Sequence, residues 1–354
     1  MRVLIAPDSF KGSISNSRCA AAIAEGWLSI RPTDSLLLLP MADGGEGTLE
    51  TIAQSVVGAE RIPTNAVQGA HWLLLPDGTA IVELASICGI ELMEELDPMY
   101  ASTFELGMVL SVVAQDVRVK KLVITVGGSA STDGGAGALV ALGARFLDKH
   151  GNSIGLGGAG LRELEQIDLT TLVPAPAGGV TCLVDVNNPL LGELGSAQVF
   201  APQKGADEFQ VHELERGLRK LQEASGLADF PGAGAAGGTP FGLSLAWKIN
   251  LESGALEVAR LIGFTDAIKK VDLVITGEGR FDSQSLSGKV VGVISDLALA
   301  AQKEVLYCVG SSESPLGSKG ISLIELAPTL NEAMENPYTW LVQAGRELAL
   351  RIQN

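Results

Sequence analysis

The sequence predicts an α/β protein in which a five-stranded, parallel, doubly wound sheet is interrupted by a long insertion. Three observations predict it. Short apolar runs near residues 3, 37, 274, 306 and 323 alternate with helical patterns, and turn residues bound each run, as for strands buried on both faces. Between the second and third runs lie about two hundred residues, longer than any ordinary connecting loop. Inside that stretch the rhythm changes to short strands separated by Gly and Pro turns, which reads as antiparallel hairpins. The chain therefore divides into a discontinuous doubly wound domain, residues 1–60 and 265–354, and an inserted mixed α/β domain, residues 61–264.

Arg2 to Ala6 reads as the first strand and runs into Pro7-Asp8-Ser9-Phe10-Lys11-Gly12. Ser15 or Asn16 can cap the helix that follows, through CAAAIAEGWLSI, and Arg31-Pro32 stops it. Leu36 to Leu39 is the second strand, followed by the charged turn Asp43-Gly44-Gly45-Glu46-Gly47-Thr48 and another helix. The inserted stretch opens with RIPTNAV, HWLLLP and AIVELA as hairpin strands. A helix over Thr103 to Gln115 comes next, then a strand Leu122 to Val126, the Gly-rich run Gly127 to Gly137 and a helix through ALVALGARF. Thr181 to Val184 is a further strand, ending at Asp185. Glu208 to Ala224 alternates charged and apolar residues at helical spacing, its charges forming a solvated face. Pro231 to Phe241 has the composition of a flexible linker but is very poor in charge, and reads at least as well as a packed loop over a ligand. The doubly wound domain resumes with the strand Asp272 to Thr276, then strands Glu304 to Val309 and Ile321 to Leu326, and closes on a helix through TWLVQAGRELALRI.

Composition excludes several classes of function. Forty-one acidic against 25 basic residues give a net charge of −16, which argues against a partner held by its nucleic-acid backbone. No apolar run is long enough to span a membrane, and no targeting segment is recognisable at the start of the sequence. The four cysteines stand far apart with no CxxC pairing, which fits a reduced, cytoplasmic protein. The three histidines, His71, His150 and His212, lie in unrelated settings, so zinc-enzyme and serine-hydrolase readings lose their main supports.

The chemistry gathers at strand ends. Val271 to Lys289, VDLVITGEGRFDSQSLSGK, joins a buried strand to a turn in which Gly277 and Gly279 let the backbone approach a ligand, with Glu278 and Asp282 beside them. In open α/β sheets, ligands bind just beyond the carboxyl ends of the strands. Ser287-Gly288-Lys289 leads into the apolar helix VVGVISDLALA, whose first turn offers free N–H groups and a lysine to an anion. The spacing is not that of a P-loop, and the first strand lacks the GxGxxG of a dinucleotide fold. Three glycine-rich loops with isolated carboxylates and lysines suit phosphoryl transfer, which needs anion cradles, a Mg²⁺ held by one or two carboxylates and a base. A cleft between the two domains is the expected seat of that chemistry.

Seven segments carry a closer likeness: APDSFKGS at Ala6 to Ser13, PMADGGEGT at Pro40 to Thr48, VGGSASTDGGAG at Val126 to Gly137, DVNNPLLG at Asp185 to Gly192, FAPQKGA at Phe200 to Ala206, PGAGAAGG at Pro231 to Gly238 and ITGEGRFDSQSLSGK at Ile275 to Lys289. In these segments, in their order and over nearly its whole length, the chain resembles the glycerate kinase family of bacterial type. The resemblance implies a flavodoxin-like (Rossmann-like) domain carrying an inserted α/β domain, and ATP-dependent phosphorylation of D-glycerate to 2-phosphoglycerate with Mg²⁺. It implies as polar cluster Asp8, Ser9, Lys11, Asp43, Glu46, Asp185, Glu278 and Asp282. Within it, Lys11, Asp185 and Asp282 are the expected catalytic residues, Asp185 as base or metal ligand, and Glu278 with Asp282 the expected metal ligands. Asp8, Ser9, Asp43, Glu46, Gly127, Gly128, Ser129, Gly277, Gly279 and Lys289 are the expected substrate and phosphate contacts.

Two departures bear on substrate preference. Ala101 to Met108 lacks a glycine and a glutamate of the family's TTSxGTGE, and Thr132 stands where the family has asparagine. Open alternatives are a kinase for another hydroxy acid or sugar acid, a 3-phosphoglycerate-forming enzyme, and a ligand-binding or regulatory protein on the same fold. A monomer or homodimer is expected.

Overall fold

The computed structural model of the chain describes residues 1–282, 285 and 289–352. Clustering of backbone contacts separates two compact units. One comprises Met1–Asp43, Glu50–Val56 and Ser253–Asn354, the other Gly44–Leu49 and Val57–Glu252.

The first unit is built on five parallel strands. Across the sheet they run Gly320–Ser322, Glu304–Val309, Leu273–Thr276, Arg2–Ile5 and Ser35–Leu38. Numbered along the chain within this unit, that is the doubly wound order 2-1-3-4-5 of flavodoxin-like folds. The three central strands are almost wholly apolar where they pair, and Val3, Leu4, Ile5, Val274 and Ile275 are fully buried. Parallel sheets need both faces covered, and the apolar runs without polar alternation reflect this. Helices Asn16–Ile30 and Pro337–Arg351 pack tightly together on one face, because Gly26 and Gly345 put bare backbone at their crossing. A Cβ on Gly26 would strike the carbonyl of Val342, and one on Gly345 the carbonyl of Ile23.

The second unit carries a six-stranded sheet in the order Ile249–Glu252, Val180–Leu183, Lys121–Thr125, Thr79–Glu83, His71–Leu74 and Glu60–Pro63. The last three strands form the antiparallel hairpins and the others pair in parallel. Helices Phe104–Gln115 and Glu208–Ser225 complete its core, the latter opened by a capping box in which Asp207 and Gln210 exchange side-chain and backbone bonds. The charge-poor segment from Pro231 is packed, with Ala233, Ala235, Gly237 and Phe241 buried.

Two expected elements are corrected. The run Ile321 to Leu326 is strand only over Gly320–Ser322, and Leu323–Leu326 forms one helical turn. Its three strand residues exhaust the pairing offered by Tyr307–Val309 at the sheet edge, and the N–H of Ile324 turns back to the Gly310 carbonyl. The helix through ALVALGARF stops at Ala141. Gly143 takes φ 108°, and Arg145–Leu147 becomes a strand antiparallel to Gln166–Asp168. Ser287 and Gly288, expected to lead into helix Val290–Ala300, lie outside the described residues.

Candidate active site

Three loops of the first unit leave neighbouring strand ends and are zipped together by their backbones. The N–H of Ala6 donates to the Ile275 carbonyl at 2.8 Å, that of Asp8 to Gly277 at 2.8 Å, that of Gly310 to Glu278 at 3.0 Å and that of Ser311 to Gly279 at 3.0 Å. The Thr276 hydroxyl donates to the Ala6 carbonyl at 2.9 Å. Such close backbone contact requires glycine at two points. A Cβ on Gly277 would run into the carbonyl oxygen of Cys308, and one on Gly310 into that of Gly279. Asp8 and Glu278 are thus carried on one rigid rim.

Above that rim lies a cavity of about 550 Å³ whose polar lining includes Asp8, Ser9, Lys11, Asp43, Glu278, Arg280 and Lys289. It sits at the carboxyl ends of Arg2–Ile5 and Leu273–Thr276, the pair of strands at which the winding of the sheet reverses. Doubly wound folds place their ligands there. A larger depression of about 650 Å³ beside the hairpin at Arg61 and His71 contains no carboxylate, so the chemistry does not follow volume.

The carboxylates are strained electrostatically. Burial, then the neighbouring Asp43, pushes the Asp8 carboxyl up from 3.8 to about 8, against the N–H of Ser9 at 2.7 Å and the charge of Lys11. Burial likewise raises Glu278, opposed by Ser285 and Lys289 and aided by Asp282 and Asp43. Glu278 is 8 % exposed, and its Oε1 has no hydrogen-bond partner among the described residues. A buried, unpaired carboxylate oxygen is costly without a cation or a donor from a ligand.

The structure therefore brings Asp8, Ser9, Lys11, Asp43, Glu278, Gly279 and Lys289 around one cavity. Gly277 lies in the packed floor beneath it. Asp282 is half-buried just beyond the rim, with its N–H donating to Ser285 Oγ at 2.9 Å and its carboxylate 3.9 Å from Arg280 Nε. The remaining candidates belong to the second unit. Gly127 packs against the backbone of Gly45 and donates to the Gly44 carbonyl at 3.2 Å, and Gly128 takes φ 75°. Ser129 is buried, Glu46 is exposed in the turn before helix Thr48–Ser55, and Asp185 is exposed at the end of strand Val180–Leu183.

Three buried charges in the second unit escaped the sequence reading. Lys204 is 3 % exposed, and its ammonium donates to Ser129 Oγ at 2.9 Å and to the Ser131 carbonyl. Burial pushes it down from 10.5 to about 8, with Asp133 and Cys88 acting the other way. Asp133, fully buried, accepts from the N–H and hydroxyl of Thr103 at 2.8 and 2.9 Å and from the N–H groups of Gly135 and Gly137, and so ties the Gly-rich run to the start of the preceding helix Phe104–Gln115. Glu83 accepts from the N–H of Leu49 at 2.8 Å and of Gly47 at 3.3 Å, and burial raises its carboxyl. Lys204 and Asp133 lie in glycine-containing motifs and Glu83 closes the apolar strand Thr79–Glu83, so a lone charge in or at the end of an otherwise uncharged run was the available signal.

Fold and cavity together define a doubly wound α/β protein with a cavity lined by carboxylates and basic side chains at its switch point. The model of the glycerate kinase family matches residues 3–353, and the chain belongs to that family. It is 38% identical to glycerate 2-kinase of Escherichia coli (strain K12) over 99% of this chain and 97% of that one. Glycerate kinase of Bacillus subtilis (strain 168) is 34% identical over 100% of this chain and 98% of its own length. A crystal structure of a protein assigned as glycerate kinase 2 from Salmonella typhimurium LT2 superposes with a TM-score of 0.81 at 33% identity, covering 99% of this chain and 97% of that one.

Proposed function

We propose that the protein transfers the γ-phosphoryl group of ATP to the 2-hydroxyl of D-glycerate, giving ADP and 2-phosphoglycerate. The observation that carries this reading is the meeting of three carboxylates, two lysines and an arginine around one cavity at the switch point. Membership of the glycerate kinase family and the likeness to a relative named glycerate 2-kinase supply the substrate class.

In this reading Lys11 and Lys289 set positive charge against the phosphates, helped by the positive end of helix Val290–Ala300. Ser9 orients the acceptor. Asp8, whose carboxyl is pushed up to about 8, takes the hydroxyl proton as the oxygen attacks phosphorus in line. Asp185 is the second candidate for the base. The two are told apart by the pH–rate profile, since only loss of Asp8 removes an ionisation near 8 from the acidic limb, where the rate rises as the base loses its proton. The candidates Glu46, Gly127, Gly128 and Ser129 of the second unit are tested one by one by substitution.

A divalent cation fits the polar wall. The partnerless Oε1 of Glu278, with Asp43 near it, suits a hard ion that keeps several waters and shares the phosphates of its substrate. Among the described residues no cluster of three or more possible ligands is assembled, which matches an ion held partly by the nucleotide. Mg²⁺ held by Glu278, with Asp43 or Asp282, would neutralise charge on the transferring group. The cytoplasm is the compartment we assign, where the four free cysteines stay reduced.

A coupled assay for ADP release with D-glycerate and Mg²⁺, run beside a panel of other hydroxy acids and sugar acids, tests the reading. Release that is fastest with D-glycerate supports it. No ADP above background from folded protein, or faster turnover of another acid, overturns it.

A further inference from the structure

We propose that the apolar half of the same cavity is the subsite for the purine base of the nucleotide, an inference that rests on the kinase reading above. The wall opposite the charged rim is formed by Leu323, Ile324, Leu330, Ala333, Met334 and Pro337. Leu330, Ala333 and Met334 stand at i, i+3 and i+4 of helix Leu330–Glu335 and so share one face. Ile324, Leu330 and Met334 are 41, 58 and 52 % exposed. Single exposed apolar side chains are ordinary on any protein surface. Three of them on one wall of one cavity, in a chain of net charge −16, are not scattered, and they make the cavity amphipathic along its length.

The sheet sets that length. The charged loops leave Arg2–Ile5 and Leu273–Thr276, whereas the apolar wall follows Gly320–Ser322 at the sheet edge. Three strand intervals of about 4.8 Å separate Arg2–Ile5 from that edge, roughly 14 Å in all. A three-carbon acid occupies only the charged end. The ligand that matches the whole cavity has a polyanionic tail and a flat, uncharged head joined by a linker, which describes a purine nucleoside triphosphate. The apolar residues carry no charge and Arg280, which also lines the cavity, is paired with Glu313 at 2.8 Å, so an uncharged heterocycle leaves no buried charge unpaired there.

The test is calorimetric titration of the full chain with ADP and, separately, with inorganic triphosphate, which carries the anion without the base. Wild type is expected to bind ADP at least about tenfold more tightly than triphosphate. The double substitution Ile324→Ser and Met334→Ser, at exposed positions, is expected to weaken ADP about tenfold and to leave triphosphate within about twofold. Equal weakening of both ligands, or ADP binding unchanged in the variant, overturns the proposal, as does wild type that prefers triphosphate. The two readings fail separately. An ADP preference that the variant abolishes, in protein that phosphorylates no acid, sinks the kinase assignment and leaves the base subsite standing. Turnover of D-glycerate with no ADP preference does the reverse.

Discussion

Replacing Asp8 by asparagine separates the energetic cost of the charged rim from its use. The carboxyl is raised from 3.8 in the unfolded chain to about 8 in the folded one, first by burial and then by Asp43. Between those two values the folded state holds a proton that the unfolded state has released, so stability falls as pH rises through the window and is fully restored below 3.8. The shift spans about four pH decades, each worth about 1.4 kcal/mol, which sets a ceiling near 6 kcal/mol above pH 8. Asp8 is half-buried at the wall of an open cavity, and water reaching it screens the charge, so about 2 kcal/mol is the expected effect. An asparagine in its place would have the same shape and no charge. Asp8→Asn is therefore expected to raise the melting temperature by about 3 °C at pH 8.5 and to leave it unchanged near pH 3.5. The same variant loses turnover by about a hundredfold or more, the scale of general-base removal. Scanning calorimetry at the two pH values, with ADP release measured on the same preparation, is the assay. A variant no more stable than wild type at pH 8.5 refutes the electrostatic argument, and one that keeps full turnover refutes the role.

Other perturbations follow the same logic. Lys204 titrates at about 8 when folded against 10.5 when unfolded, so the unfolded chain binds the extra proton between those values and wild-type stability rises with pH from 8 to 10.5. Lys204→Met should abolish that rise in a series of melting curves. At pH 7 it removes about 3 kcal/mol of desolvation while losing two charge-assisted hydrogen bonds of about 1.5 kcal/mol each, so the melting temperature there is expected to stay close to wild type. Gly277→Ala forces a methyl into the Cys308 carbonyl and should cost more than about 3 kcal/mol in urea unfolding, with soluble yield falling before any kinetic change is seen. Glu278→Gln should raise the Mg²⁺ concentration for half-maximal rate at least about tenfold while leaving the melting temperature equal or higher, because a raised carboxyl is replaced by a neutral amide. Asp185→Asn, if that residue is the base, should lower kcat by about a hundredfold with folding unchanged, as read by circular dichroism and ADP release.

The sheet of the first unit was legible because a parallel strand buried on both faces needs an uninterrupted apolar run. LVIT at Leu273–Thr276 and EVLYCV at Glu304–Val309 satisfy this with flanking turn residues. The rim was legible for a related reason. Asp8, Lys11, Asp43 and Glu278 interrupt apolar sequence just where strands end, and ionisable groups are otherwise rare there. Failures came where local pattern was outvoted by packing. SLIEL after Ile321 has the composition of a strand, yet the edge position allows three residues of pairing, and the chain then coils into the turn that carries Leu323 and Ile324 to the cavity. ARF after Gly143 continues a helical periodicity that a positive φ has already broken. Lys204 carries no periodic signal, since its burial depends on Ser129 and Ser131, more than seventy positions away in the chain. The apolar wall was equally hidden, because nothing local marks Leu330 or Met334 as facing a cavity rather than solvent.

The most direct measurement is a ¹³C and ³¹P NMR spectrum of the products formed from ATP and ¹³C-labelled D-glycerate by the purified chain. A ³¹P resonance split into a doublet by the single proton on carbon 2, growing in step with ADP, is the result the site predicts. A triplet from the two protons on carbon 3, or ADP accumulating with no organic phosphate, would contradict it.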